Sequence, residues 1–486
     1  MALEDLRRER MQKLDRYEAA GRDPYPASVR RTFLIGDAVK KFSTLAKGKK
    51  SVSLVGRLRA MREHGGLAFG DLEDGSGSIQ LSFSRDELED GYDLVRDVLD
   101  IGDFLEVVGV PFKTKRGEPT IKVSVWRIIA KALRPLPEKW HGLKDVEERF
   151  RKRYLDLLMN AGVRKRFRTR TAIVREVRSA LAADGFEEVE TPVLQAMPGG
   201  AMARPFKTHH NALDVDLYLR IAPELYLKRL IVGGYERVYE FARVFRNEGI
   251  DATHNPEYTL LEFYAAYWNE QDMMDCVERL FSSVVRKVLR KSFLPYDGKI
   301  LKLVKRFPRI SFLELLKRHA LITDYQKETA DSLRLRAKQF GLTVQPGTPK
   351  GKIADEIFEK VCRPRLQDPV FVTDFSIDIS PLSKRDDRNQ AVVRRFNLIA
   401  GGQEIADGWA EVNDPRDQRR RFEAQEQFRK EGEEEAHPFD EEFIEALEYG
   451  MPPLAGVGVG IDRLVMLLTD TKNIREVVLF PTLRPK

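Results

Sequence analysis

The chain has 486 residues, more than one compact domain usually holds, so two or three domains are expected. Charged residues make up 33% and hydrophobic residues 42%, and no apolar run approaches the ~20 residues of a membrane helix, so the chain is not expected to span a bilayer. Only two cysteines occur, Cys276 and Cys362, which excludes a disulfide framework and a Cys-only zinc site; with no apolar stretch in Met1–Ala20, a cytoplasmic protein is expected.

The net charge is +7, and residues 1–60 hold 15 Lys/Arg against 7 Asp/Glu, so the rest of the chain is close to neutral. A basic start beside a neutral body fits a polyanion partner. On charge alone, a solvated basic helix is the simpler account.

In chain order, residues 3–20 read as a charged helix ended by Pro24 and Pro26. From Ser51 short alternating runs begin: Val52 and Leu54; Ile79, Leu81 and Phe83; a more buried run from Phe104 to Val110; then Ile121, Val123 and Val125. Turns fall at Gly65-Gly66, Asp74-Gly75 and Arg116-Gly117, and one helical stretch, Asp86–Leu99, separates the run ending at Phe83 from the run that begins at Phe104. Three strands, a helix and two strands is the order of an OB-fold barrel, a common oligonucleotide binder. Pro135, Pro137 and His141-Gly142 read as a linker, and a long helix is expected over 163–184, closed by Gly185. Strands are expected at 218–221, 238–244, 259–263, 370–379, 395–400 and 403–412. Between them, residues 300–368 read as a mostly helical insertion. A charged helix over 415–431 and the glycine-rich Gly456–Gly460, running into a final helix, complete the chain.

Several nucleotide and hydrolase motifs fail. Gly347-Thr-Pro-Lys-Gly351-Lys352 is one residue short of a P-loop and lacks its Ser/Thr; Gly456-x-Gly458-x-Gly460 is not GxGxxG; no GxSxG occurs. His209-His210 has no metal-ligand partner at helical spacing.

Three segments place dense polar residues in apolar frames: Gly185-Phe-Glu-Glu-Val-Glu-Thr-Pro192, the stretch from Phe245 to Tyr264, and Gly456-Val-Gly-Val-Gly460-Ile-Asp462-Arg463. In this order they resemble motifs 1, 2 and 3 of the class II aminoacyl-tRNA synthetases. Ala222-Pro223-Glu224-Leu225, the Gly199-Gly200 loop, Arg204–His210 and Gly401–Asp414 narrow the resemblance to the lysyl-tRNA synthetases, over nearly the whole chain.

The residues themselves agree. Arg246, followed by Asn-Glu-Gly, suits bidentate grip on phosphate or carboxylate oxygens. Arg463 follows a glycine segment that lets a ligand approach. Tyr258 is either an adenine platform or a core aromatic. The apolar flanks Leu260-Leu261 and Val412 argue that Glu262 and Glu411 are buried.

The resemblance implies an α+β architecture. A basic helical segment (1–50) would precede an OB-fold anticodon barrel (51–134) and a linker (135–160). The class II catalytic domain (161–486) would follow, built on an antiparallel sheet flanked by helices. Arg246 and Arg463 would be catalytic. ATP would be held by Arg246, Glu248, His254, Tyr258, Glu404 and Arg463. Lysine would be held by Gly200, Glu224, Arg246, Glu262, Tyr264, Asp407, Trp409 and Glu411, and Mg²⁺ by Glu404 and Asn397. Phe69 and Gln80, with Arg62 and Glu118 beside them, would read the anticodon of lysine tRNA. Pro192 would lie at a homodimer interface. The implied activity is lysine activation and tRNA charging. The alternatives are a paralogue that lysylates protein or makes dinucleoside polyphosphates, and a tRNA-binding regulator that does not charge.

The chain departs from the resemblance at four positions. Tyr258 stands where Phe is usual, Asn397 and Asp378 where Glu is expected, and Asp407 where Asn is usual. A simple hairpin at Gly401-Gly402 would put Asn397 and Glu404 on the face opposite Asp407. A β-bulge near Ala406 is therefore expected.

Overall fold

The computed structural model describes residues 3–89, 91–137, 145–201, 203–345, 347–380, 382–430 and 438–485, in two compact units divided at residue 144.

In the first unit, helix α1 (Leu3–Ala19) precedes strands β1 (Val52–His64), β2 (Leu67–Glu73), β3 (Ser78–Ser84), β4 (Phe104–Lys113) and β5 (Pro119–Ala130). The strands close into a barrel in the order β1-β2-β3-β5-β4. Alternation decides what fills it: Leu54, Leu58, Leu72, Leu81, Leu105, Val107, Ile121 and Val123 point inward and are buried. Helix α1 belongs to this unit: Tyr17 is buried against the barrel and its hydroxyl accepts from the Ile128 N–H at 2.9 Å. The single helix expected over 86–99 is two pieces, Arg85–Leu88 and Gly91–Val98, because Glu89 turns left-handed (φ 47°) between them.

In the second unit, α2 (Ala161–Ala183) ends at Gly185, whose φ of +80° makes the turn. The main sheet comprises β6 (Glu187–Glu188), β7 (Arg237–Phe245), β8 (Glu257–Ala266), β9 (Arg309–Ser311), β10 (Val370–Ser376), β11 (Val392–Ala400), β12 (Gln403–Ala410) and β13 (Leu454–Gly460). Its order is β9-β10-β11-β12-β13-β8-β7-β6, antiparallel except for the outer pairs β9–β10 and β7–β6. Helix α3 (Glu224–Val232) leads into β7, and α5 (Ile461–Leu468) leaves β13.

One side of this sheet is covered by α2, α5 and the helix Glu270–Val284, around Phe263, Phe371, Phe396, Leu398 and Val457. The segment read as a helical insertion begins with strands: Lys299–Lys302, then β9 in the main sheet. Its helices start at Phe312 and include α4 (Lys350–Ile357); they form their own core, which continues into Val372, Val393 and Ile399 of the sheet.

The strand expected at 218–221 is Val215–Leu219, in a separate three-stranded sheet, because Ile221 already belongs to the loop entering α3. Residues 138–144 of the expected linker and Glu431 of the charged helix lie outside the described residues, as does the side chain of Asp378. No helix among the described residues is long and apolar enough to cross a membrane.

Candidate active site

The floor of the site is glycine. Strand β13 runs between β8 and β12, so Gly456 faces Tyr264 on one side and Trp409 on the other, and Gly458 faces Glu262 and Asp407. These side chains share one face of the sheet. A Cβ at Gly456 would stand 2.2 Å from the Tyr264 ring and 2.8 Å from Glu411 Oε1, so the glycine is required by space. The slot above it opens into a cavity of about 500 Å³ that also reaches Gly200, Glu224, Arg246, Glu248, His254, Tyr258, Glu404 and Arg463.

The apolar-walled end gathers carboxylates. Glu224, Glu262 and Glu411 are 2%, 5% and 1% exposed, as the flanking residues of Glu262 and Glu411 predict. The Tyr264 hydroxyl donates to Glu262 Oε2 at 3.1 Å, and Trp409 Nε1 donates to Glu411 Oε2 at 2.7 Å. Gly200 closes the same end. Its φ is +86°, and a Cβ there would meet the Glu224 Cβ at 2.8 Å. Burial pushes Glu411 up to about 8 and Glu262 well above the carboxylate range, the latter reinforced by the charge of Glu224. Burial, then the charge of Glu262, raises Tyr264 as well.

Lys228 also lies here, unexpected from the sequence. It is 2% exposed, and its Nζ lies 2.5 Å from Glu224 Oε1 and 2.6 Å from Glu411 Oε2. Burial opposes this ammonium, but the charges of Glu224 and Glu411 raise its pKa above the usual lysine value. The available signal was the i, i+4 spacing of Glu224 and Lys228 on the helix after Pro223.

The polar end carries the arginines. Arg246 leaves the end of β7 and pairs with no carboxylate among the described residues; its guanidinium lies 5.4 Å from the centre of the Tyr258 ring. Tyr258 lines the cavity, so it is not a core aromatic. Arg463 Nη2 lies 3.1 Å from His254 Nε2, while Asp251 Oδ2 lies 2.9 Å from His254 Nδ1. The neighbouring Asp462 anchors this corner by accepting from Arg170 Nη1 at 2.6 Å and the Thr259 N–H at 2.7 Å.

The bulge expected near Ala406 is present. Leu398 pairs with Ala406 and Ile399 with Glu404, leaving Ile405 unpaired, so Glu404 shares the face of Asn397 and Asp407. Asn397 Nδ2 donates to Glu404 Oε2 at 2.6 Å, and its Oδ1 is buried without a hydrogen-bond partner. Both oxygens of Asp407 are taken by Arg395, at 2.9 and 2.8 Å. Burial pushes Asp407 up to about 6, and Asp355 on α4 also to about 6. Arg395 and Asp355 line the cavity and were not foreseen. Among the described residues no three His, Cys, Asp or Glu side chains are grouped to hold a metal unaided.

On the barrel, Ala68, Gly70 and Leu72 point inward, so Phe69 lies on the outer face, half-buried, and the core alternative for it is excluded. Arg62 stands directly opposite Phe69 across β1–β2. Gln80, also outward, accepts from Thr120 Oγ1 at 2.9 Å, and Glu118 is exposed just before β5. Pro192 is exposed beside Val193 and Leu194, which are 39% and 47% exposed.

Residues 145–484 match the family of class II tRNA synthetases for D, K and N, and residues 52–129 match the OB-fold nucleic acid binding domain. The chain is 48% identical to the lysine–tRNA ligase of Moorella thermoacetica, over 99% of this chain and 98% of that protein. It is 45% identical to the lysine–tRNA ligases of Gloeobacter violaceus (100% and 99% covered) and Enterococcus faecalis (99% and 98%).

Proposed function

Because the chain belongs to the lysine–tRNA ligase family of class II aminoacyl-tRNA synthetases, we propose that it activates L-lysine with ATP and transfers it to the 3′ end of lysine tRNA. The observation that carries this is the pocket end over Gly456. Glu262, Tyr264 and Glu411 converge there, buried, beside the cavity that Glu262, Tyr264 and Trp409 line. An ammonium at the end of an apolar stem satisfies Glu262 and the unpartnered Oε1 of Glu411; an uncharged or shorter side chain leaves Glu262 with only the Tyr264 hydroxyl and that Oε1 unpaired, at a cost of roughly 1–3 kcal/mol.

In this reading the ε-ammonium meets Glu262, Tyr264 and Glu411, with Trp409 against the stem, and the α-amino group meets Glu224 and the Gly200 backbone. Arg246 receives the substrate carboxylate and the α-phosphate. Tyr258 and Glu248 hold adenine, while His254 and Arg463 hold the outer phosphates. A lysine carboxylate oxygen attacks the α-phosphorus in line. The new P–O bond forms as the α–β bridging P–O bond breaks and pyrophosphate leaves. The terminal adenosine hydroxyl then attacks the acyl carbon and AMP departs. The two arginines stabilise the charge that develops on the phosphates, so catalysis is positioning plus electrostatics.

The donor set fits Mg²⁺: the Glu404 carboxylate and the unpartnered Asn397 Oδ1 are hard oxygens, and this ion needs only one or two protein donors beside phosphates. When bound, Mg²⁺ would neutralise phosphate charge. Asp407 contributes to the lysine end through Arg395 and Trp409's strand. Phe69, Gln80, Arg62 and Glu118 read the anticodon, and the exposed apolar strip at Pro192–Leu194 packs against a second copy. Two free, buried cysteines fit the reducing cytoplasm in which we set the reaction.

ATP–pyrophosphate exchange across the twenty amino acids tests the reading. Exchange dependent on lysine, followed by charging of lysine tRNA, is expected; exchange with none of the twenty, or preferring another amino acid, would sink it.

A further inference from the structure

We propose that Lys228 is a positioning and specificity-determining residue: its buried ammonium clamps one oxygen of Glu224 and one of Glu411, leaving their other oxygens to a ligand that carries two ammonium groups. The inference rests on the ligase reading above and adds a residue that the reaction itself does not require to touch substrate.

The geometry is specific. Lys228 sits one turn after Glu224 on α3, and Glu411 follows the end of β12, so the ammonium ties a helix to the far side of the slot. Nζ lies within 6.0 Å of the Tyr264 ring centre and 5.9 Å of Phe443, so aromatic faces close its remaining side. On Glu411, Oε2 receives both Lys228 and Trp409 Nε1, whereas Oε1 is buried, has no hydrogen-bond partner and lies against Gly456, 2.8 Å from where a Cβ would stand. A carboxylate fixed through one oxygen presents the other at a defined point, which is what selection by chain length needs.

The charge count agrees. Glu224, Glu262 and Glu411 bring three potential negative charges, and Lys228 cancels one. A ligand with an α-ammonium and an ε-ammonium cancels the other two, while Arg246 is left for its carboxylate. Without Lys228 the same ligand leaves one anion unmatched, and Glu411 is held by Trp409 Nε1 alone.

The test uses the full-length enzyme, with KM for lysine and for ATP read in pyrophosphate exchange. Lys228→Met keeps the stem and removes the charge; a rise of at least tenfold in lysine KM is expected, with ATP KM within twofold of wild type and an unchanged melting temperature within a few degrees. Lys228→Ala opens the volume of the missing stem, and added propylammonium should lower its raised lysine KM severalfold. The same amine should do nothing for Lys228→Met, whose site is filled. A purely structural lysine would raise both KM values together and show no amine rescue. Lysine KM within twofold of wild type in Lys228→Met, in a protein that melts normally, would overturn the clamp while leaving the ligase reading intact. Wild type without lysine-dependent exchange would overturn that reading and the clamp with it.

Discussion

Glu411 illustrates how burial sets chemistry at a single residue. Burial pushes its carboxyl up to about 8 against the opposing charge of Lys228. With a folded pKa above the ordinary ~4.3 of glutamate, its protonated form is favoured, so this group contributes stability below that ordinary value and loses it as pH rises through about 8. Lysine needs the ionised form, and Glu224, Glu262, Tyr264 and Lys228 face the same space. Lysine KM should therefore fall roughly tenfold or more from pH 6.5 to 8 and flatten only above about pH 9, and Glu411→Gln should raise KM and shrink the slope, leaving the part due to Glu262. A wild-type KM independent of pH across that range would refute the assignment. Asn397 supports a second prediction at this scale. Its amide donates to Glu404, which a glutamate in its place could not do. Asn397→Glu would set two carboxylates side by side, an arrangement a cation relieves. Mg²⁺ should then bind the ATP complex roughly threefold to tenfold more tightly, and Mg²⁺ should raise the melting temperature of the variant more than that of wild type. Equal Mg²⁺ midpoints in calorimetry would defeat the idea.

Among the elements, the edge-to-edge stack β8–β13–β12 makes the slot, and its width is set by what glycine lacks. Gly456→Ala places a methyl group against the Tyr264 ring and Glu411 Oε1. The ring cannot yield without leaving Glu262, so overpacking of about 1–3 kcal/mol is expected, together with loss of lysine-dependent exchange and retention of ATP binding. Normal lysine KM in the Gly456→Ala variant would show that the slot lies elsewhere. Much of this stack was legible: glycine spacing, apolar flanks of Glu262 and Glu411, and the parity argument that required a bulge. The bulge came out at Ile405 because the period of a strand is two, and only an extra residue brings Glu404 to the face of Asp407. The clamps were not legible. Lys228 meeting Glu411, and Arg395 taking both oxygens of Asp407, depend on cross-element distances that no local pattern carries. The strand at the start of the supposed helical insertion was hidden for a related reason. Arg309–Ser311 is only three residues, too short to show alternation, and is strand because β10 offers it a partner.

For the whole molecule, the chain folds as two compact units, each with its own core. The order of strands and the alternation of the first unit specified a closed barrel, but could not choose which face Phe69 takes. The burial of Ala68, Gly70 and Leu72 makes that choice, and puts Phe69 outside, opposite Arg62 and one strand from Gln80. An aromatic ring half-exposed on a barrel face can stack a splayed base, a contact of roughly 1–3 kcal/mol. Removing it should leave the barrel interior untouched, because Phe69 is no part of the buried cluster. Phe69→Ala should therefore lower kcat/KM for charging of lysine tRNA by about ten- to hundredfold, equivalent to that stacking contact. Lysine- and ATP-dependent pyrophosphate exchange should stay within twofold of wild type, since every residue assigned to activation lies in the other unit. Exchange lost in parallel with charging would mean that the substitution unfolds the protein. Charging unchanged by Phe69→Ala, with lysine tRNA as substrate, would remove this face of the barrel from anticodon recognition.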